Sequence, residues 1–221
     1  MTAMMTELTA SDGHKFNCWM EPAQGDRRGG LVILQEIFGV TDQLKGVARR
    51  YAALGYDVAI PALFDRQERD VVIPFDQGAR GRDLMMAADL DTTMKDVDAA
   101  VQTLAAKGGK VAVMGFCWGG GLAVRAAQVL DIAGGIAFYG TRWPNYMNAP
   151  LKAPLLAHFG AKDDHVPEDI RNQAMAYFPT MEAHVYDAGH AFANDARPAY
   201  VPEAADLAHS RTEGFLKKHV G

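Results

Sequence analysis

A mostly parallel sheet of about eight strands with helices on both faces is the α/β architecture that this sequence predicts. Three observations predict it. Short apolar runs without polar alternation, such as Leu31-Val32-Ile33-Leu34, have the pattern of strands buried on both faces. Each is followed by an amphipathic stretch of helical length, and glycines punctuate the junctions.

The elements follow in order. Residues 15–20 alternate after the turn signal Asp12-Gly13, with Phe16, Cys18 and Met20 on one face, which predicts half of an opening antiparallel hairpin near an edge. Residues 31–34 form a strand between Gly29-Gly30 and Gly39. Thr41 or Asp42 caps a helix to about Leu54, where Gly55 stops it. Strands at 56–60 and 110–114 bracket a helix over 82–106, and another helix covers 119–130. Strands at 132–139, 154–159 and 181–186 come next, with helices near 167–177 and 202–218. The irregular stretches 63–81 and 141–153 are expected rims over a site at the carboxyl ends of the strands.

Composition bounds the rest. At 221 residues, 49% hydrophobic and 22% charged, one globular domain over 1–221 is expected, and no apolar run reaches membrane-span length. A net charge of -5 with scattered Lys and Arg excludes a nucleic-acid footprint and points to a small-molecule partner. The amino end lacks the pattern of an export signal, so a cytoplasmic protein with two free thiols, Cys18 and Cys117, is expected. Without CxxC, HExxH or clustered ligand residues, no metal is expected.

The chemistry centres on Gly115-Phe116-Cys117-Trp118-Gly119. It follows a strand and opens a helix, which makes it a G-x-S-x-G nucleophile turn with Cys in place of Ser, and hence predicts an α/β-hydrolase. The helix aims its first amides, including that of Trp118, at the thiol. In that fold the acid and histidine come later, on loops after strands. Gly160-Ala161-Lys162-Asp163-Asp164 supplies the acid, Asp163 being preferred to Asp164 and to Asp187. Of seven histidines, only His190 of Asp187-Ala188-Gly189-His190 lies on a post-strand loop beyond the acid. Cys18 reads as a buried small hydrophobe.

Together with Gln35-Glu36-Ile37-Phe38-Gly39, Val166-Pro167 and Gly189-His190-Ala191-Phe192, these motifs resemble the dienelactone hydrolase family over nearly the whole chain. The resemblance implies a cofactor-free monomer that opens the enol-lactone ring of carboxymethylenebutenolide to maleylacetate. It implies Cys117, Asp163 and His190 as the triad, the amides of Ile37 and Trp118 as the oxyanion hole, and Glu36 as a fourth catalytic group. A carboxylate beside the thiol disfavours thiolate at rest. An anionic substrate that drew an arginine from Glu36 would free it to take the thiol proton.

The family binds its substrate carboxylate with two arginines. Arg80 or Arg82 matches the first position, Arg80 being preferred, whereas Asn194 stands at the second, with Arg197 nearby. That departure leaves open a carboxylesterase or thioesterase acting on another small acyl substrate. A non-catalytic ligand-binding member of the fold is the third reading.

Overall fold

One eight-stranded sheet organises the computed structural model, which describes residues 2–221. The strands are β1 (Met4–Thr9), β2 (Lys15–Glu21), β3 (Gly29–Leu34), β4 (Tyr56–Pro61), β5 (Val111–Phe116), β6 (Gly134–Phe138), β7 (Leu155–Gly160) and β8 (Glu182–Tyr186). The helices are α1 (Asp42–Ala53), α2 (Gly78–Ala87), α3 (Leu90–Ala105), α4 (Trp118–Val129), α5 (Glu168–Tyr177) and α6 (Pro202–His219). Spatial order is β1-β2-β4-β3-β5-β6-β7-β8, with β1 and β2 antiparallel to their neighbours and the rest parallel. The expected hairpin therefore closes the β1 edge. Among the described residues, no helix is long and apolar enough to cross a membrane.

The central strands alternate faces while remaining apolar throughout. Leu31 and Ile33 of β3 join Leu44 and Tyr51 of α1 and Ala208 and Leu216 of α6. Val32 and Leu34 join Val97 and Leu104 of α3 and Leu122 of α4 on the opposite face. With helices on both sides neither face needs polar residues, which is why these strands read as unbroken runs. Thr41 caps α1, its side chain accepting from the Leu44 amide at 3.2 Å.

The continuous helix expected over 82–106 is instead two. Ala88 is extended, and Asp89 starts α3 by accepting from the Thr92 amide at 2.9 Å. The break lets α2 depart from the direction of α3 and lie against the turn after β3. A Cβ at Gly81 would come within 2.0 Å of the Ile37 carbonyl oxygen, so only glycine permits that approach.

Two buried histidines tie α6 to the rest of the molecule. His158 Nδ1 lies 2.8 Å from the Tyr186 hydroxyl and its Nε2 3.0 Å from that of Thr212, while His209 Nδ1 lies 2.8 Å from the Tyr51 hydroxyl. Burial drives both below the ordinary histidine range, His209 to about 3. A depressed folded pKa means the unfolded chain takes up these protons first, so their contribution to stability is present above the unfolded value and is lost as pH falls below it. For one such histidine the loss is about 1.4 kcal/mol between pH 7.5 and 5.5. His209→Gln keeps a hydrogen-bonding partner for Tyr51 and removes the titration. The stability gap between wild type and this variant should narrow by that amount over the interval in urea melts. A gap independent of pH would mean that His209 titrates alike in the folded and unfolded chain.

Candidate active site

The carboxyl ends of the parallel strands meet around a cleft of about 460 Å³ whose lining includes Glu36, Ile37, Cys117, His190, Arg82 and Arg197. Cys117 follows β5 and caps α4 in a left-handed conformation, φ 53° and ψ -116°, that an L side chain adopts only under strain. The turn is locked around it. Its amide donates to the Phe138 carbonyl at 3.0 Å, and its own carbonyl accepts from Gly120 and Thr141, each at 3.0 Å. The flanking glycines are steric necessities: a Cβ on Gly115 would sit 1.9 Å from the Gly119 oxygen, and one on Gly119 2.5 Å from that of Leu34. The thiol is half-buried and free, whereas Cys18 is fully buried and burial pushes its thiol up out of the reactive range.

The Gly119 amide donates to the Gln35 carbonyl at 3.1 Å, stitching the turn after β3 to the start of α4. This sets the Ile37 turn beside Trp118. Trp118 is the first residue of α4, so its amide has no partner within the helix. Neither it nor the Ile37 amide donates to a protein acceptor among the described residues. Two unengaged amides beside a thiol are the donors that an oxyanion at an attacked carbonyl requires.

His190 Nδ1 lies 2.8 Å from Asp163 Oδ2, and Asp163 Oδ1 accepts from the His165 amide at 2.8 Å. Of the three candidate acids, Asp163 alone is buried against the histidine; Asp164 is exposed and Asp187 pairs with Lys162 at 2.7 Å on the surface. Burial opposes charge on His190, but its hydrogen bond to Asp163 and its interaction with Cys117 outweigh that and raise it to about 10. Asp163 and a developing thiolate both favour the protonated ring, which makes His190 a poor acceptor for a further proton.

Glu36 lies at the other wall, 7% exposed. Tyr139 donates its hydroxyl to Oε1 at 3.1 Å, Asn194 donates Nδ2 to Oε2 at 3.3 Å, and Arg197 stands 3.8 Å from Oε2. Burial raises the Glu36 carboxyl above the usual carboxylate range despite the opposing pull of His190, Asn194, Tyr139 and Arg197. It is a stronger base than a solvated carboxylate for that reason.

The arginine that α2 brings to the cleft is Arg82, against the expected preference for Arg80. Arg80 does not line the cleft; it pairs with Glu68 at 2.5 Å on the surface, whereas Arg82 does line it. Residues two apart on a helix point about 200° from each other, so α2 can aim only one of them inward. Asn194, 2% exposed, lies behind Glu36 rather than in the cleft, and Arg197 supplies the cation there, its guanidinium 5.2 Å from the Phe38 ring and 5.5 Å from that of Phe75. Tyr139, Arg142 and His165 also reach the site or its rim and were not singled out from the sequence. Tyr139 and Arg142 are left-handed, at φ 37° and 62°, and non-glycine residues there carry no composition signal.

Comparison with known proteins identifies the family and the fold. The family model described as the dienelactone hydrolase family matches residues 18–220. Among curated relatives, the carboxymethylenebutenolidase of a Pseudomonas species is 32% identical over 231 residues, covering 97% of this chain and 96% of its own. That of Pseudomonas putida is 30% identical, covering 96% and 97%. The fold is shared with a dienelactone hydrolase-like promiscuous phosphotriesterase from metagenomic libraries, at a TM-score of 0.78, 21% identity and full coverage of both chains. The Pyrococcus furiosus esterase Pf2001 shares it at a TM-score of 0.72 and 19% identity, with 99% and 93% covered. The chain belongs to the dienelactone hydrolase family and is a hydrolase of the lactone- and ester-cleaving type.

Proposed function

We propose that this hydrolase opens a small anionic lactone, carboxymethylenebutenolide being the model substrate and maleylacetate its product, through an acyl-enzyme on Cys117. The observation that carries the reading is that a buried Glu36 and a His190 held by Asp163 line one cleft with the Cys117 thiol. Asp163 favours a proton on His190, so the thiol proton goes to Glu36. Substrate carboxylate drawn to Arg197 weakens the 3.8 Å pairing of that arginine with Glu36 and leaves the carboxylate free to act.

The thiolate adds to the lactone carbonyl, and the amides of Ile37 and Trp118 receive the oxyanion. Collapse expels the ring oxygen as an enolate and leaves a thioester on Cys117. The departing enolate takes the His190 proton, which leaves a neutral imidazole able to accept one from water, while Asp163 keeps its Nδ1 oriented. Addition of that water to the thioester releases the acid and restores the thiol.

The test joins turnover to mass. Wild type should consume dienelactone faster than a neutral aryl ester in a spectrophotometric assay. His190→Gln should accumulate the acyl mass on the Cys117 peptide, because deacylation fails first. A variant that stalls without any adduct on Cys117 would overturn the covalent route.

A further inference from the structure

The cleft carries more positive charge than one substrate carboxylate needs. Arg82, Arg142 and Arg197 all line it, and Glu36 is the one carboxylate in its lining. Glu36 is matched with Arg197, while no carboxylate among the described residues lies within ion-pair reach of Arg82 or Arg142. An unmatched guanidinium in a concave site is poised for an anionic ligand.

Topology separates Arg197 from Arg142, while Arg82 of α2 stands close enough to His165 to act on its charge. Glu36 and Phe38 follow β3, and Arg197 reaches back onto Phe38 and Phe75 at that end. Arg142 follows β6 and His165 follows β7, which are adjacent strands on the opposite side of β5. Two strand steps from β3 to β6 span about 10 Å, with the Cys117 turn between them.

Arg142 is also held deliberately. Its left-handed backbone, φ 62° and ψ 28°, is fixed between Thr141, whose amide donates to the Cys117 carbonyl at 3.0 Å, and the buried Trp143, whose indole donates to the Gly140 carbonyl at 2.7 Å. Its guanidinium has a neutral companion, the Asn145 amide, whose oxygen is assigned toward Nε and the terminal nitrogen at 3.3 Å. The rim is completed by His165, whose ring packs edge-on to that of His190 with centroids 4.3 Å apart. A non-glycine residue held left-handed in the lining of the cleft points to a ligand contact there.

We propose that Arg142 and His165 form a second acid-binding subsite, so that the substrate is a short acyl compound with one acidic group on each side of the scissile carbonyl. This rests on the hydrolase reading of Cys117 for its meaning, though not for its test. The acid near Arg197 relieves Glu36; the acid near Arg142 fixes which way round the carbonyl is presented to the sulfur.

Chemical-shift titrations with glutarate and butyrate read the subsite without catalysis. Wild type should bind the diacid about tenfold more tightly than the monoacid, the usual scale of one added charge-assisted contact. In Arg142→Met that preference should collapse to less than about twofold, and His165→Leu should reduce it by a smaller factor. Equal binding of the two acids by wild type, or a preference untouched in Arg142→Met, overturns the subsite. Retained diacid preference in a protein with no esterase or lactonase turnover would instead leave the subsite standing and remove the hydrolysis reading.

Discussion

Cys117→Ala should lower kcat/KM on every substrate of this hydrolase by about three orders of magnitude or more, the scale seen when a covalent nucleophile is removed. Thermal stability should barely move. Alanine keeps the Cβ and therefore the left-handed strain of the turn, and the thiol it removes has no capping hydrogen bond. Cys117→Gly separates the two effects: it is equally inactive, yet it relieves a backbone at φ 53° and should stabilise the fold by about 1 kcal/mol. Cys117→Ser is the more searching variant. A hydroxyl is a far weaker acid than a thiol, and a carboxylate such as Glu36, placed to deprotonate a thiol, is too weak a base for it. Serine should therefore be nearly as inactive as alanine in steady-state assays. Turnover by the serine variant within tenfold of wild type would mean that His190 is unprotonated at rest and takes the nucleophile's proton itself.

Local sterics made the nucleophile turn legible. Gly115 and Gly119 are fixed by close contacts within a few residues or with the adjacent strand, and a pattern of that kind survives in the sequence. The strand runs were legible because double-sided burial removes polar alternation. The break between α2 and α3 was also written, as Asp89 three residues before Thr92, but the apolar spacing on either side obscured a two-residue interruption. Helix phase decides between Arg80 and Arg82, and phase depends on where α2 starts, which its uncapped amino end does not announce. Tyr139, Arg142 and Arg197 matter through left-handed turns or through reach across the sheet. Such placement is a property of tertiary packing, and no spacing rule encodes it.

Glu36→Gln tests the most consequential assignment, and its expected result has three parts. The rate should fall by about 10² to 10⁴, the range for loss of a positioned base, with binding of a substrate-like acid much less affected. The pH profile should change as well. The proposed mechanism needs Glu36 ionised, and burial holds that carboxyl above the usual range, so activity should climb with pH through a midpoint above an ordinary glutamate's. The glutamine variant, having nothing to ionise there, should lose that limb. Stability should move in the opposite sense. A raised folded pKa favours the protonated carboxyl in the folded state, so its benefit is present at acid pH and is lost as pH rises through the folded value. Above that pH the neutral amide, which still accepts from Tyr139, should make the variant the more stable protein. Slower and more stable together is the behaviour of a buried base maintained for chemistry against its own desolvation. A variant that kept full turnover and an unchanged pH profile would reduce Glu36 to a bracket for Arg197, and the proton of Cys117 would have to leave by His190.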